Sequence, residues 1–168
     1  FAQETANEYQ LTREEMDDYS IESLNRANKA IASGAFADEI VPVTYSTRKG
    51  EVTVDTDEAP GKGKPDKIPT LKPAFAKDGT ITAATSSSIS DGAAALVLTR
   101  ESVAQAKSLE PVATLVGMAA HAQEPKAFTT APVGAIKKLL EQTGWSVDDV
   151  DLWEVNEAFA CVAMFAMR

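Results

Sequence analysis

Asp151-Leu152-Trp153-Glu154-Val155-Asn156-Glu157-Ala158-Phe159-Ala160 is the stretch whose reading decides the fold of this 168-residue chain. It reads as a strand, Asp151–Val155, running into an asparagine with a helix directly behind it. Junctions of this kind are where open α/β folds build their ligand crevices. Asn156 has two readings there. It can cap the following helix by accepting a bond from a backbone N–H. Its amide can also donate into a crevice and stabilise a developing oxyanion, directly or through a held water. The chain stops at Arg168, eight residues beyond Ala160, so the partners of Asn156 are expected to lie mostly outside this sequence.

Outward from that junction, helices and strands alternate. Ser146 and Asp149 frame a short turn, and Gly144 ends a helix that starts near Thr130. That helix has Pro132 in its first turn and Val133, Ile136, Leu139 and Leu140 toward a core. Val112–Ala119 reads as a strand and Glu101–Lys107 as a helix. Ala93–Leu98 is apolar without a break, which suits a strand covered on both faces. Thr80–Ala84 reads as a further strand, leading into the polar turn Thr85–Gly92. Such alternation predicts α/β architecture.

The first half is differently built. Thr12 and Glu15 form a capping box, and Met16, Ser20, Leu24, Ala27 and Ile31 then recur at helical spacing. Gly34 sits where that helix should stop. Ile40–Thr44 and Val52–Val54 read as short strands. From Pro60 to Pro73 the pattern breaks into Gly, Pro and Lys, a surface loop.

Composition narrows the function classes. Apolar residues make up 44% and charged residues 24%, enough for a folded core and against wholesale disorder. A formal net charge of −9 and a pI near 4.6 argue against a general nucleic-acid binder. No apolar run approaches the roughly 18–20 residues that span a bilayer, so no membrane partner is expected. There is no cationic-then-apolar start, and residue 1 is Phe rather than Met. The chain therefore reads as an excerpt of a longer cytoplasmic protein.

Few residues can carry chemistry. Cys161 is the only cysteine, which excludes an intrachain disulfide and a Cys-cluster metal site. It falls more than a turn into an apolar helix, where a thiol is buried and inert rather than nucleophilic. His121 is the only histidine, just past a strand, and reads as a surface loop residue rather than a base. With no second His, zinc has little support. Between Pro60 and Lys77 there are five lysines (62, 64, 67, 72 and 77) against the single acid Asp66. On an acidic protein that is either an anion site or a solvated loop. Ser86-Ser87-Ser88 offers hydroxyls and amides to a polar ligand, but serines also simply make turns.

Several of these pieces occur together, in order, in one family. Val155-Asn156-Glu157-Ala158-Phe159 resembles the Asn-Glu-Ala-Phe motif of thiolases. Ser90-Asp91-Gly92-Ala93-Ala94-Ala95 resembles the Asp-Gly-Ala-Ala stretch after their Asn-Ser-Ser type of turn. Asp66 to Phe75 resembles their coenzyme A loop. Thr12-Arg13-Glu14-Glu15 with Asp17, and Asp38–Val43, resemble their loop domain. The resemblance implies part of a five-layered αβαβα core with an inserted loop domain. It assigns 1–89 to the CoA-binding loop domain, 90–110 to the end of the N-terminal half and 111–168 to the start of the C-terminal half.

The implied activity is reversible Claisen condensation of two acetyl-CoA molecules to acetoacetyl-CoA and CoA, with no cofactor beyond the CoA thioester itself. Carried over by position, Asn156 would hold the oxyanion-hole water and Phe159 would line the acyl pocket. Ser87 would bond the pantetheine arm, and Lys67 with Lys62 and Lys64 would contact the nucleotide end of CoA. The family's nucleophilic Cys, its Gly-His-Pro segment and its second Cys have no counterpart within residues 1–168. On that footing Cys161 is not catalytic, and the segment alone is expected to be inactive. Thr85 stands where the family turn usually has Asn. Leu24 stands where potassium-binding members have Tyr, so no metal site is expected. The partners implied are acyl-CoA, the remainder of the subunit and further copies in a homodimer or homotetramer. Two other readings stay open, a degradative 3-ketoacyl-CoA thiolase with longer substrates and a noncatalytic CoA-binding or assembly module.

Overall fold

Thr12 starts the longest helix, α2 (Arg13–Ser33), through the full capping box: its hydroxyl accepts from the Glu15 amide and the Glu15 carboxylate accepts from the Thr12 amide. Gly34 ends it in the left-handed region at φ 68°, a conformation that favours glycine. The computed structural model describes all residues 1–168. They fall into two contact units, one of Phe1–Ser88 with Asn156–Arg168 and one of Ile89–Val155.

In the first unit, the closing helix α6 (Ala160–Ala166) packs against both α1 (Ala2–Glu8) and α2. Ala2, Ala6, Leu11, Met16, Ile81, Cys161 and Val162 form the buried core. The helical stripe is buried only at its start. Met16 and Ser20 are buried, Leu24 and Ala27 half-buried, and Ile31 exposed. The Tyr9 and Phe165 rings lie 4.2 Å apart, and Arg168 donates to the Tyr9 carbonyl at 2.9 Å. These contacts tie the last residues of the chain to its first helix.

The expected first pair of strands forms an antiparallel hairpin, β1 (Val43–Thr47) with β2 (Gly50–Val54). The first strand begins three residues later than Ile40 because Pro42, lacking an N–H, cannot donate to a ladder. The Pro60–Pro73 loop is a correction. Asp57 caps a short helix, α3 (Glu58–Lys62), by accepting from the Ala59 amide. A 3-10 helix, Pro65–Thr70, follows with Pro65 in its first turn. Proline is tolerated at those positions because a helix's first amides have no intrahelical acceptor.

Removing the cap tests this local account. Thr12→Ala is expected to cost about 1 kcal/mol, read from the urea midpoint. Acid adds a second readout. The Glu15 carboxyl is held below its ordinary 4.5 because it accepts from the Thr12 amide and then the Thr12 hydroxyl. A lowered carboxyl contributes stability above its ordinary pKa and loses it as the pH falls through the folded value. Stability should therefore fall below about pH 4.5, and Glu15→Gln should remove that part of the slope.

In the second unit, α4 (Glu101–Ala106) and α5 (Ala131–Thr143) match the expected helices. A 3-10 turn, Pro125–Thr130, feeds α5, and Gly144 ends it at φ 71°. Ser146 and Asp149 make a second capping box. The four strands expected at Thr80–Ala84, Ala93–Leu98, Val112–Ala119 and Asp151–Val155 do not pair as strands; the hairpin is the only sheet. A strand needs a neighbour to complete its ladder, and these segments do not pair with one another. In the last three segments the large apolar side chains are mostly exposed, Val97 at 99% and Leu152 at 89%, whereas Ile81 of the first is fully buried in the core of the first unit.

Candidate functional site

Two stretches far apart in sequence meet in the first unit. An antiparallel bridge pairs Ser86 with Phe159. The Ser87 amide donates to the Ala158 carbonyl at 3.1 Å, and the Ala160 amide donates to the Thr85 carbonyl at 2.9 Å. This bridge removes one of the two readings of Asn156. It holds Phe159 extended (φ −143°, ψ 152°), so α6 starts at Ala160 with Phe159, not Asn156, at the cap position. Asn156 is not the helix cap.

The Thr80–Ser88 stretch is held by its own hydroxyls. Thr85, buried, accepts from the Thr82 amide at 2.8 Å and donates to the Thr82 carbonyl at 3.2 Å. Ser86 donates to the same carbonyl at 2.8 Å. Thr85 thus serves the turn that presents Ser87.

Beside this junction lies a cleft of about 870 Å³, lined by α2, α3, the 3-10 helix, the serine turn and Asn156. That volume is near the upper end of the roughly 300–1,000 Å³ usual for small-molecule and cofactor sites. Lys62, Lys64 and Lys67 line it together with Ser86, Ser87, Ser88 and Asn156. Leu24, Ile68 and Leu71 add apolar wall. Lys62 is only loosely paired, its Nζ 3.8 Å from Glu58 Oε1. The wall is tight where Leu24 meets Gly63: a Cβ there would come within 2.6 Å of Leu24 Cδ2, so a side chain at 63 would push the Leu24 side chain aside.

Glu157 also lines the cleft, and sequence reasoning missed it. Tyr19 Oη donates to one carboxylate oxygen and Ser23 Oγ to the other, each at 2.6 Å. Tyr19 and Ser23 are four residues apart and share a face of α2, which is legible in sequence. Their acceptor lies more than 130 residues away, and no local signal points to it.

The chain matches the thiolase N-terminal domain model over residues 1–102 and the thiolase C-terminal domain model over 109–168. The chain belongs to the thiolase family. Acetyl-CoA acetyltransferase of Rhizobium meliloti is 46% identical over 163 residues, which is 96% of this chain and 42% of that protein. The mitochondrial acetyl-CoA acetyltransferase of Gibberella zeae is 47% identical over 167 residues, 97% of this chain and 39% of the relative. Among solved structures, Bacillus anthracis acetyl-CoA acetyltransferase matches with a TM-score of 0.94 at 43% identity, covering 98% of this chain and 42% of that one. The Ascaris suum Acat5 thiolase in complex with coenzyme A matches with a TM-score of 0.90 at 42% identity, covering 99% and 42%. The chain thus has a partial thiolase-type αβ fold and spans about two fifths of the length of these relatives.

In this thiolase chain the cleft gathers Asn156, Ser87, Lys62, Lys64 and Lys67. Phe159 does not line it; its ring lies edge-on to Phe75 with centroids 6.4 Å apart. His121 lies in the second unit, half-buried, with Nε2 3.1 Å from Gln123 Oε1 and its ring against Gly134. Cys161 is fully buried, and burial pushes its thiol above the ordinary 9.0. Its Sγ lies 3.8 Å from the Ala2 carbonyl. Native protein is therefore expected to resist a thiol reagent at pH 8, and unfolded protein to react fully. Rapid labelling of Cys161 in the folded state would contradict this placement.

Proposed function

We propose that this chain supplies the CoA-binding cleft and an oxyanion-stabilising asparagine to an acetyl-CoA C-acetyltransferase. The reaction is the reversible Claisen condensation of two acetyl-CoA molecules to acetoacetyl-CoA and CoA. What carries the reading is one cleft in which three lysines, Ser87 and Asn156 converge. Acetyl-CoA has phosphates at one end and a thioester at the other. Lysines suit the phosphates, and their attraction is screened by salt. Ser87 suits an amide of the pantetheine arm. The Asn156 amide suits the thioester oxygen, on which negative charge builds when the α-carbon loses its proton. A preset donor there stabilises the transition state more than the ground state.

The acyl-carrying cysteine and the proton-transferring groups belong, in this reading, to the remainder of the subunit. The names of the relatives and the CoA complex of the Ascaris protein support the substrate class. Assaying thiolysis of acetoacetyl-CoA against a long-chain 3-ketoacyl-CoA tests it in the complete subunit. Preference for acetoacetyl-CoA is expected. Preference for the long chain would favour the degradative thiolase, and CoA binding without turnover would favour a noncatalytic module. A homodimer or homotetramer in the cytoplasm completes the proposal. Family resemblance supports the assembly, and light scattering and cell fractionation test the two parts.

A further inference from the structure

Arg13 and Asp17 stand one turn apart at the start of α2, outside the lining of the cleft. Asp17 is only 4% exposed. Arg13 Nε donates to Asp17 Oδ2 at 2.7 Å, while Asp17 Oδ1 is buried with no hydrogen-bond partner. The carboxylate therefore depends on Arg13 for nearly all its compensation. The other end of the guanidinium faces the 3-10 helix. Arg13 Nη2 donates to the carbonyls of Ile68 at 3.1 Å, Pro69 at 3.3 Å and Leu71 at 3.0 Å. One planar cation thus grips three carbonyls at the end of the 3-10 helix and just past it, the Ile68 carbonyl also accepting from the Leu71 amide at 3.1 Å.

Those carbonyls belong to the backbone that carries Lys67. Lys67, Ile68 and Leu71 all line the cleft. We propose that Arg13, oriented by Asp17, is a positioning residue for the anion-binding segment: it fixes the 3-10 helix so that Lys67 faces the cleft before ligand arrives. This rests on the reading of the cleft as a CoA site. Presetting the segment spares binding the entropy of ordering it. A lysine at position 13 keeps the charge but not the fork, so it cannot hold Asp17 and three carbonyls at once.

The test is a double-mutant cycle in the complete subunit, with CoA binding followed by calorimetry and KM and kcat by thiolysis of acetoacetyl-CoA. Arg13→Lys and Lys67→Ala are each expected to raise the Kd for CoA about 3- to 10-fold, and the double variant no more than about twofold beyond Lys67→Ala. The kcat should stay within about twofold in Arg13→Lys, because nothing near the reacting atoms changes. Asp17→Asn should repeat the Arg13→Lys result, and it carries the cycle where Arg13→Lys does not fold. Multiplying effects, or a lowered Tm with unchanged Kd, would overturn the positioning role while leaving the CoA reading intact. Failure of the unaltered protein to bind CoA would overturn both.

Discussion

Asn156→Ala in the complete subunit is expected to lower kcat about 10²- to 10³-fold with the Kd for CoA within about twofold. The asymmetry follows from what the amide does. It meets no charge in the resting thioester beyond the carbonyl dipole, and it meets a near-full negative charge once the enolate forms. Losing it therefore raises the barrier far more than it weakens binding. Stability should be nearly unchanged, because Phe159 and not Asn156 occupies the cap position of α6. Steady-state kinetics with acetoacetyl-CoA measures the first part and thermal unfolding the second. A kcat near that of the unaltered enzyme would remove Asn156 from the chemistry.

The second large effect is electrostatic. Replacing Lys62, Lys64 and Lys67 together by Gln is expected to raise the Kd for CoA about 10- to 100-fold, since exposed ion pairs are individually weak and three act together. The loss should shrink as salt is added, because salt already screens what the substitutions remove. Titrations at low and high ionic strength separate this from a folding defect. If the variant binds as tightly as the unaltered protein at low salt, the lysines are a solvated edge. The maximal rate should be little affected, since no lysine of the three is assigned to the thioester end.

How much of this was legible in sequence depends on the range of the forces involved. Local signals read well. Thr12 with Glu15, Gly34, Gly144 and the Ser146–Asp149 box all act within one turn, and each appears where the pattern placed it. Cys161 is buried as expected, but it is the second residue of α6 and not more than a turn inside it, because the helix starts only at Ala160. Strand assignments failed differently. Ala93–Leu98 and Val112–Ala119 have the composition of buried strands, yet they carry no ladder, because pairing depends on a neighbour that composition does not identify. The Pro60–Pro73 segment looked like open loop because Gly and Pro break periodicity. It is ordered instead by the Asp57 cap and by Arg13, 55 residues from the Ile68 carbonyl it grips.

The cleft shows the same division. Asn156, Ser87 and the lysines were found as residue types of suitable chemistry, and the resemblance to thiolases ordered them. Local pattern left Asn156 open between cap and donor, and the Ser86–Phe159 bridge settled the cap. Phe159 is packed on Phe75 rather than along this cleft. Glu157, Tyr19 and Ser23 were missed because their hydrogen bonds join sequence positions more than 130 residues apart.

The most direct test of the central claim is a crystal structure of the complete subunit with acetyl-CoA bound. The expected result puts the phosphates within ion-pair reach of Lys62, Lys64 or Lys67 and the pantetheine arm against Ser87. The thioester oxygen should then lie within one water of the Asn156 amide. Acetyl-CoA bound elsewhere, or bound in this cleft with its thioester away from Asn156, would contradict the account.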